Sequence, residues 1–189
     1  LADSQYTEDV VLSSSLSSGQ HVISVHVADP YGNEGSASVT IEVQPVATVI
    51  QHILSLSVLR PQEQITLETE LFDQAGEPMD ASVTLEVFDG DHRLVSKREL
   101  SAWEPITYQI PQFASPGLWS VQSTHADGGT GEEITVTDTF TISEVQRIES
   151  SIVGERLFLK NMGNVPYTDD LEIQVTGVDQ EYLITKTKN

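Results

Sequence analysis

The sequence predicts an all-β protein built of serial β-sandwiches. Three observations lead there. Apolar and polar residues alternate at a period of two through most of the 189 residues, with Val, Ile and Thr abundant. No window of a dozen residues sustains a helical stripe. Turn signals recur about every ten residues, as "DPYGNEG", "DQAGEP", "DGD", "ASPG", "ADGGTG" and "NMGNVP". Short strands at that spacing belong to sandwiches.

The first unit is expected over residues 1–46. "TEDVVLSSSL" can form one strand; Ile23, Val25 and Val27 share a face of a second, and Val39, Ile41 and Val43 a face of a third. Pro30, Gly32, Asn33 and Gly35 supply the intervening turn. Three strands fall short of the roughly seven of a closed sandwich. The expectation is the C-terminal strands of a domain whose first half lies upstream or in another chain. His21 and His26 stand an odd number of positions apart, so one strand sends them to opposite faces, His21 at its end and His26 toward solvent. They do not share a metal.

"QPVATVIQ" reads as a linker, and residues 47–145 as one complete sandwich. Its strands are expected at "HILSLSVL", "EQITLETELFD", "ASVTLEVFD", "HRLVSKREL", "PITYQIP", "GLWSVQSTH" and "EEITVTDTFTIS". The inward residues are Ile65, Leu67, Thr69 and Leu71, then Val83, Leu85 and Val87, then Trp119 and Val121, then Phe140 and Ile142. From residue 146 to 189 a third unit begins, in which Leu157 and Leu159 pair in pattern with Leu171, Ile173 and Val175.

Acids number 29 and bases 9, for a formal charge of -20, and residues 1–59 hold no Lys or Arg. Nucleic acid is excluded as a natural partner, because phosphate binding needs a basic footprint. Anionic membrane surfaces are disfavoured for the same reason. Such a surface suits a medium rich in screening cations or Ca²⁺, although many soluble proteins are simply acidic. There is no cysteine, hence no disulfide or thiolate metal site. No apolar run approaches the ~20 residues that span a bilayer, and the sequence shows no initiator Met and no basic n-region before an apolar h-region. The expectation is a mature form or an excised piece of a longer protein. No Asn-x-Ser/Thr acceptor occurs.

Three resemblances cover nearly all of the chain. "SSGQHVISVHVADPYGNEGSASVTIEV" resembles the C-terminal half of polycystic-kidney-disease-type (PKD) and related bacterial Ig-like domains, through Gly19, Val25, Val27, Asp29, Gly32, Asn33 and Val43. The middle unit, with "PGLWSVQS" and a Phe-containing last strand, resembles macroglobulin-type and bacterial Ig-like domains. "VGERLFLKNMGNVPYTDDLEIQV" resembles the start of CARDB domains, whose first strands flank a turn like Asn161, Gly163 and Asn164. The resemblances imply serial Ig-like β-sandwiches, one complete and two partial, in a surface protein of archaeal or bacterial type.

Candidate sites are few. No Gly-x-Ser-x-Gly elbow occurs, and the five His are scattered, so these residues are expected to do no catalysis. A triad is recognised by geometry, which sequence does not supply. Ca²⁺ takes six to eight oxygens, often from turns. Asp29, Asn33 and Glu34, Asp89 and Asp91, and Asp127, Glu132 and Glu133 are the candidate ligands, and calcium is the one cofactor in question. The alternative for "VFDGDHRLV" is a tight Asp-Gly hairpin. Arg93, Lys97 and Arg98 form the single basic cluster: a docking patch for an acidic neighbour, or charges that blunt an edge strand. Trp103, if exposed, could stack on a sugar ring, whereas Trp119 belongs to the core. The expected function is structural, within an extracellular protein, with neighbouring domains or further copies as partners. Adhesion, glycan binding, or an accessory role beside a surface hydrolase are the alternatives.

Overall fold

The structure, a computed structural model, describes residues 7–127, 131–176 and 181–186, and every regular element among them is a strand. β1 (Gly19–Ala28) and β2 (Glu34–Val43) make an antiparallel ribbon. The sandwich uses β3 (Ala47–Leu54), β4 (Val58–Leu59), β5 (Gln64–Asp73), β6 (Ser82–Phe88), β7 (Leu94–Ser101), β8 (Ile106–Gln109), β9 (Gly117–Ala126) and β10 (Glu133–Ile142). β11 (Ile148–Val153) pairs with β12 (Arg156–Asn161), and β13 (Leu171–Thr176) with β14 (Glu181–Lys186).

In the sandwich a three-stranded sheet, β3-β5-β8, faces a five-stranded one, β4-β10-β9-β6-β7. All pairs are antiparallel except β4 with β10, where Val58 lies beside Thr141 and Leu59 beside Ile142. This is the Ig-like arrangement, two sheets enclosing one core of alternate residues. Ile65, Leu67, Thr69, Leu71, Val83, Leu85, Val87, Trp119, Val121, Phe140 and Ile142 are all buried, as their period-two phase requires. Trp119 lies 6.1 Å from Phe140, ring to ring, and its Nε1–H donates to Ser115 O at 2.9 Å, so its polar end is satisfied.

The expected first strand divides. "HILSLSVL" carries the end of β3 in one sheet and β4 in the other, and five of the eight residues of the expected linker already belong to β3. Between them Ser55 Oγ accepts from Thr66 N, and Ser57 O accepts from Thr141 N. One segment therefore guards an edge of each sheet, which an unbroken strand could not do.

The outer units differ from expectation. Residues 7–18 contain no strand, so the first unit shows a two-stranded ribbon and not three strands. Val25 and Val27 on its apolar face stay 54% and 61% exposed. β12 pairs with β11, placing Leu157 opposite Ile152, and does not pair with β13. Isolated ribbons have too little covered area to hold themselves firmly.

Candidate functional site

Asp29 and Asp89 follow a strand and Asp73 ends one, and each opens a five-residue loop of one design. The first residue's N–H donates to the carbonyl of the fifth at 2.9–3.0 Å, and the fourth donates back to the first at 2.9–3.1 Å. The Asp Oδ1 then accepts the N–H groups of the third and fifth residues: Tyr31 and Asn33, Ala75 and Glu77, Asp91 and Arg93, all at 2.8–2.9 Å. The fourth residue has positive φ in every case, at Gly32 (85°), Gly76 (79°) and His92 (59°). The loop from Asp127 to Glu132 is one residue longer, with Asp127 N donating to Glu132 O and Gly131 (φ 74°) donating to Asp127 O.

These loops use their aspartates as internal anchors. Asp29 Oδ2 also accepts from Asn33 Nδ2 at 2.7 Å, and these hydrogen bonds, led by that amide, hold its carboxyl below the usual range. Asp91 pairs with Arg93 at 3.1 Å. Glu34 and Glu133 open β2 and β10 as exposed residues, and the middle of the fourth loop, 128–130, lies outside the described residues. Among the described residues no three His, Asp or Glu gather to hold a metal. The candidate calcium ligands therefore stand at three separate hairpin tips. The Asp-Gly hairpin reading also changes, since the positive-φ residue is His92 and not Gly90.

Arg93 precedes and Lys97 and Arg98 lie on β7, the outer strand of the five-stranded sheet. Lys97 Nζ meets Glu86 Oε1 at 2.8 Å. Charge on this strand fits protection of an edge. Trp103 is half-buried. Its ring meets Phe72 edge-on at 5.2 Å, Nε1–H donates to Met79 O at 3.2 Å, and its backbone N–H donates to Thr69 O at 2.8 Å. These contacts hold a bulky residue at φ 70°. A ring so engaged packs the β7–β8 corner rather than offering a sugar platform.

Two constellations escaped the sequence. The first is a polar chain that runs from the half-exposed Asp138 into the core. His52 has a side chain only 1% exposed, with Nδ1 3.0 Å from Asp138 Oδ2 and Nε2 2.8 Å from Ser123 Oγ. Ser123 Oγ is 2.8 Å from Thr69 Oγ1, and both residues are fully buried. An ionised carboxylate only accepts, so Nδ1 carries the proton, Nε2 accepts from Ser123, and Thr69 donates to Ser123. Burial pushes His52 below its ordinary range, and the Asp138 carboxylate pulls the other way. The connectivity is that of an Asp-His-Ser triad. The serine is sealed in the core, where no substrate carbonyl can reach it. Its signal was present in the sequence: Thr69 and Ser123 occupy inward phases, and Asp138 shares its phase with Phe140 and Ile142.

The second constellation ties the sandwich to its flanks. Toward the N-terminus, Ser18 Oγ donates to Asp73 Oδ2 at 2.5 Å, Gln74 Nε2 donates to Leu16 O at 3.0 Å, and Val46 N donates to Gln74 Oε1 at 2.7 Å. Toward the C-terminus, Asn164 Nδ2 donates to Ala114 O at 2.9 Å and to Ser143 O at 3.0 Å, while Oδ1 accepts from Val145 N at 2.7 Å. Gly163 is buried beside it, and a Cβ there would stand 2.0 Å from Val145 O. The "NMGN" turn thus locks the segment leaving the sandwich against the sandwich itself.

No helix among the described residues is long and apolar enough to cross a membrane. No family model matches the chain, and no curated protein matches it. Among solved structures it is similar to dimeric latent PorU from Porphyromonas gingivalis, at 19% identity and a TM-score of 0.39, over 67% of this chain and 12% of that one. The chain thus spans about an eighth of that protein's length.

Proposed function

We propose that this chain is a non-catalytic structural segment of a secreted or cell-surface multidomain protein, spacing or presenting modules in a stalk, filament or surface layer. In this reading residues 1–46 are the end of a PKD-type domain, residues 47–145 a macroglobulin-type or bacterial Ig-like spacer, and residues 146–189 the start of a CARDB-like domain. One observation carries the reading: side chains tie the sandwich to both flanking segments, through Asp73 and Gln74 on one side and Asn164 on the other. Relative motion is the default between modules on short linkers. Hydrogen bonds across both junctions favour transmission of position along the chain over free pivoting. The sealed Ser123 and the engaged Trp103 lend no support to hydrolysis or sugar stacking.

The chain has no cysteine, so spin-label pairs can be introduced cleanly. Cysteines at Ser38 and Thr135 report the first junction, and at Thr135 and Ser150 the second. Narrow, single-peaked distance distributions from pulsed electron spin resonance are the expected result. Broad distributions like those of a flexible tether would overturn the spacer reading.

A further inference from the structure

β3 and the part of β10 before Thr141 face each other across one seam of the sandwich, since β4 covers β10 only at Thr141 and Ile142. His52 crosses that seam. It stands on β3 and holds Asp138 of β10 and Ser123 of β9, and Ser123 in turn reaches Thr69 of β5. We infer that His52 is an acid-release latch on this seam: neutral, it ties the two sheets together, and on taking a proton it lets β3 and β10 separate locally.

The hydrogen-bond inventory gives the reason. In the neutral state every member has one direction: Thr69 donates to Ser123, Ser123 to Nε2, and Nδ1–H to Asp138. A proton on Nε2 makes that nitrogen a donor. Ser123 Oγ must then accept from it, and of the Ser123 and Thr69 hydroxyl protons only one can stay in the bond between them, so the other is displaced inside the core. Thr69 and Ser123 are 0% exposed, so water does not reach them while the seam stays shut. Opening the seam hydrates both the displaced hydroxyl and the new charge.

The surroundings leave Asp138 as the charged group facing the ring. From β9 the inward residues are Ser123 and, one step along, His125, whose Nδ1 donates to Ser82 O at 2.8 Å. From β5 Thr69 faces inward, while Glu68 and Glu70 lie in the opposite phase and Glu70 engages Gln51 of β3. Asp138 opposes the release and burial favours it, with burial the larger cause.

The test is imidazole nitrogen NMR of the wild-type chain, with His52 assigned by loss of its signals in His52→Gln. At pH 7.5 Nδ1 is expected protonated and Nε2 bare, with a titration midpoint below 6.5. A bare Nδ1, or a midpoint at or above 6.5, would overturn the latch. Native-state hydrogen exchange, corrected for intrinsic rates, then compares pH 7 with pH 5. Amides of β3 and of β10 before Thr141 are expected to open more often at pH 5 than at pH 7, because burial lowers the His52 proton affinity in the closed state, while those between β6 and β9 stay level. Equal change in both regions would also sink it. Asp138→Asn should move the His52 midpoint lower still, and an unmoved midpoint would refute the role given to Asp138. If His52→Gln does not fold, assignment through labelled His52–Ser123 contacts in the wild type leaves these outcomes readable.

Discussion

His92 occupies the position where the two sister loops carry Gly32 and Gly76, and its φ of 59° is left-handed. An L-residue there costs about 1–2 kcal/mol, with His among the better tolerated, so about 1–1.5 kcal/mol is apt. Glycine removes that strain but adds freedom to the unfolded chain, returning about 0.4–1 kcal/mol. The side chain is exposed, so little packing is lost. His92→Gly should therefore stabilise the sandwich by about 0.5 kcal/mol, raising its thermal midpoint by about 2–4 °C at this domain size. Gly76→Ala is the counter-experiment. Its Cβ would meet nothing within 4 Å, so its cost is backbone strain less the freedom that Ala removes from the unfolded chain, a net of about 1 kcal/mol in the opposite direction. Urea unfolding followed by Trp fluorescence measures both. If His92→Gly is neutral or destabilising while Gly76→Ala destabilises, the shared loop design is wrong.

Three further outcomes follow from the geometry. Asn164→Ala removes three hydrogen bonds, worth about 1 kcal/mol each before water compensates; it should loosen the second junction, seen as a broadened Thr135–Ser150 distance, while the sandwich midpoint holds. Hydrogen bonds depress the carboxyls of Asp29, led by Asn33, and of Asp73, led by Ser18. Their contribution is thus complete above about pH 3.9 and lost as pH falls through the lower folded values, so Asp73→Asn should flatten the thermal midpoint's decline between pH 4 and 2. Trp103→Ala should cost about 3 kcal/mol in urea unfolding, the low end for a buried aromatic because the ring is half-buried; a fully stable variant would return Trp103 to the list of surface platforms.

The period-two pattern found β5, β6, β9 and β10 and put Ile65, Leu85, Trp119 and Phe140 inside, because a residue's phase on a strand sets its face whatever lies opposite. Turn chemistry marked the Asp-led loops for an equally local reason: Asp29 and Asp89 bond N–H groups two and four residues on. Everything that depends on which strands meet came from the tertiary structure. His52 and Asp138 are 86 residues apart, and Ser123 is 71 from His52, so no spacing announces their chain. The division of "HILSLSVL" between two sheets is likewise invisible along the chain, since both halves alternate alike and only the partners β5 and β10 pull them apart. Asn161, Gly163 and Asn164 looked like an ordinary turn. Folding brings Ala114 and Ser143 against Asn164 and turns a local reversal into a tie between the turn and the sandwich.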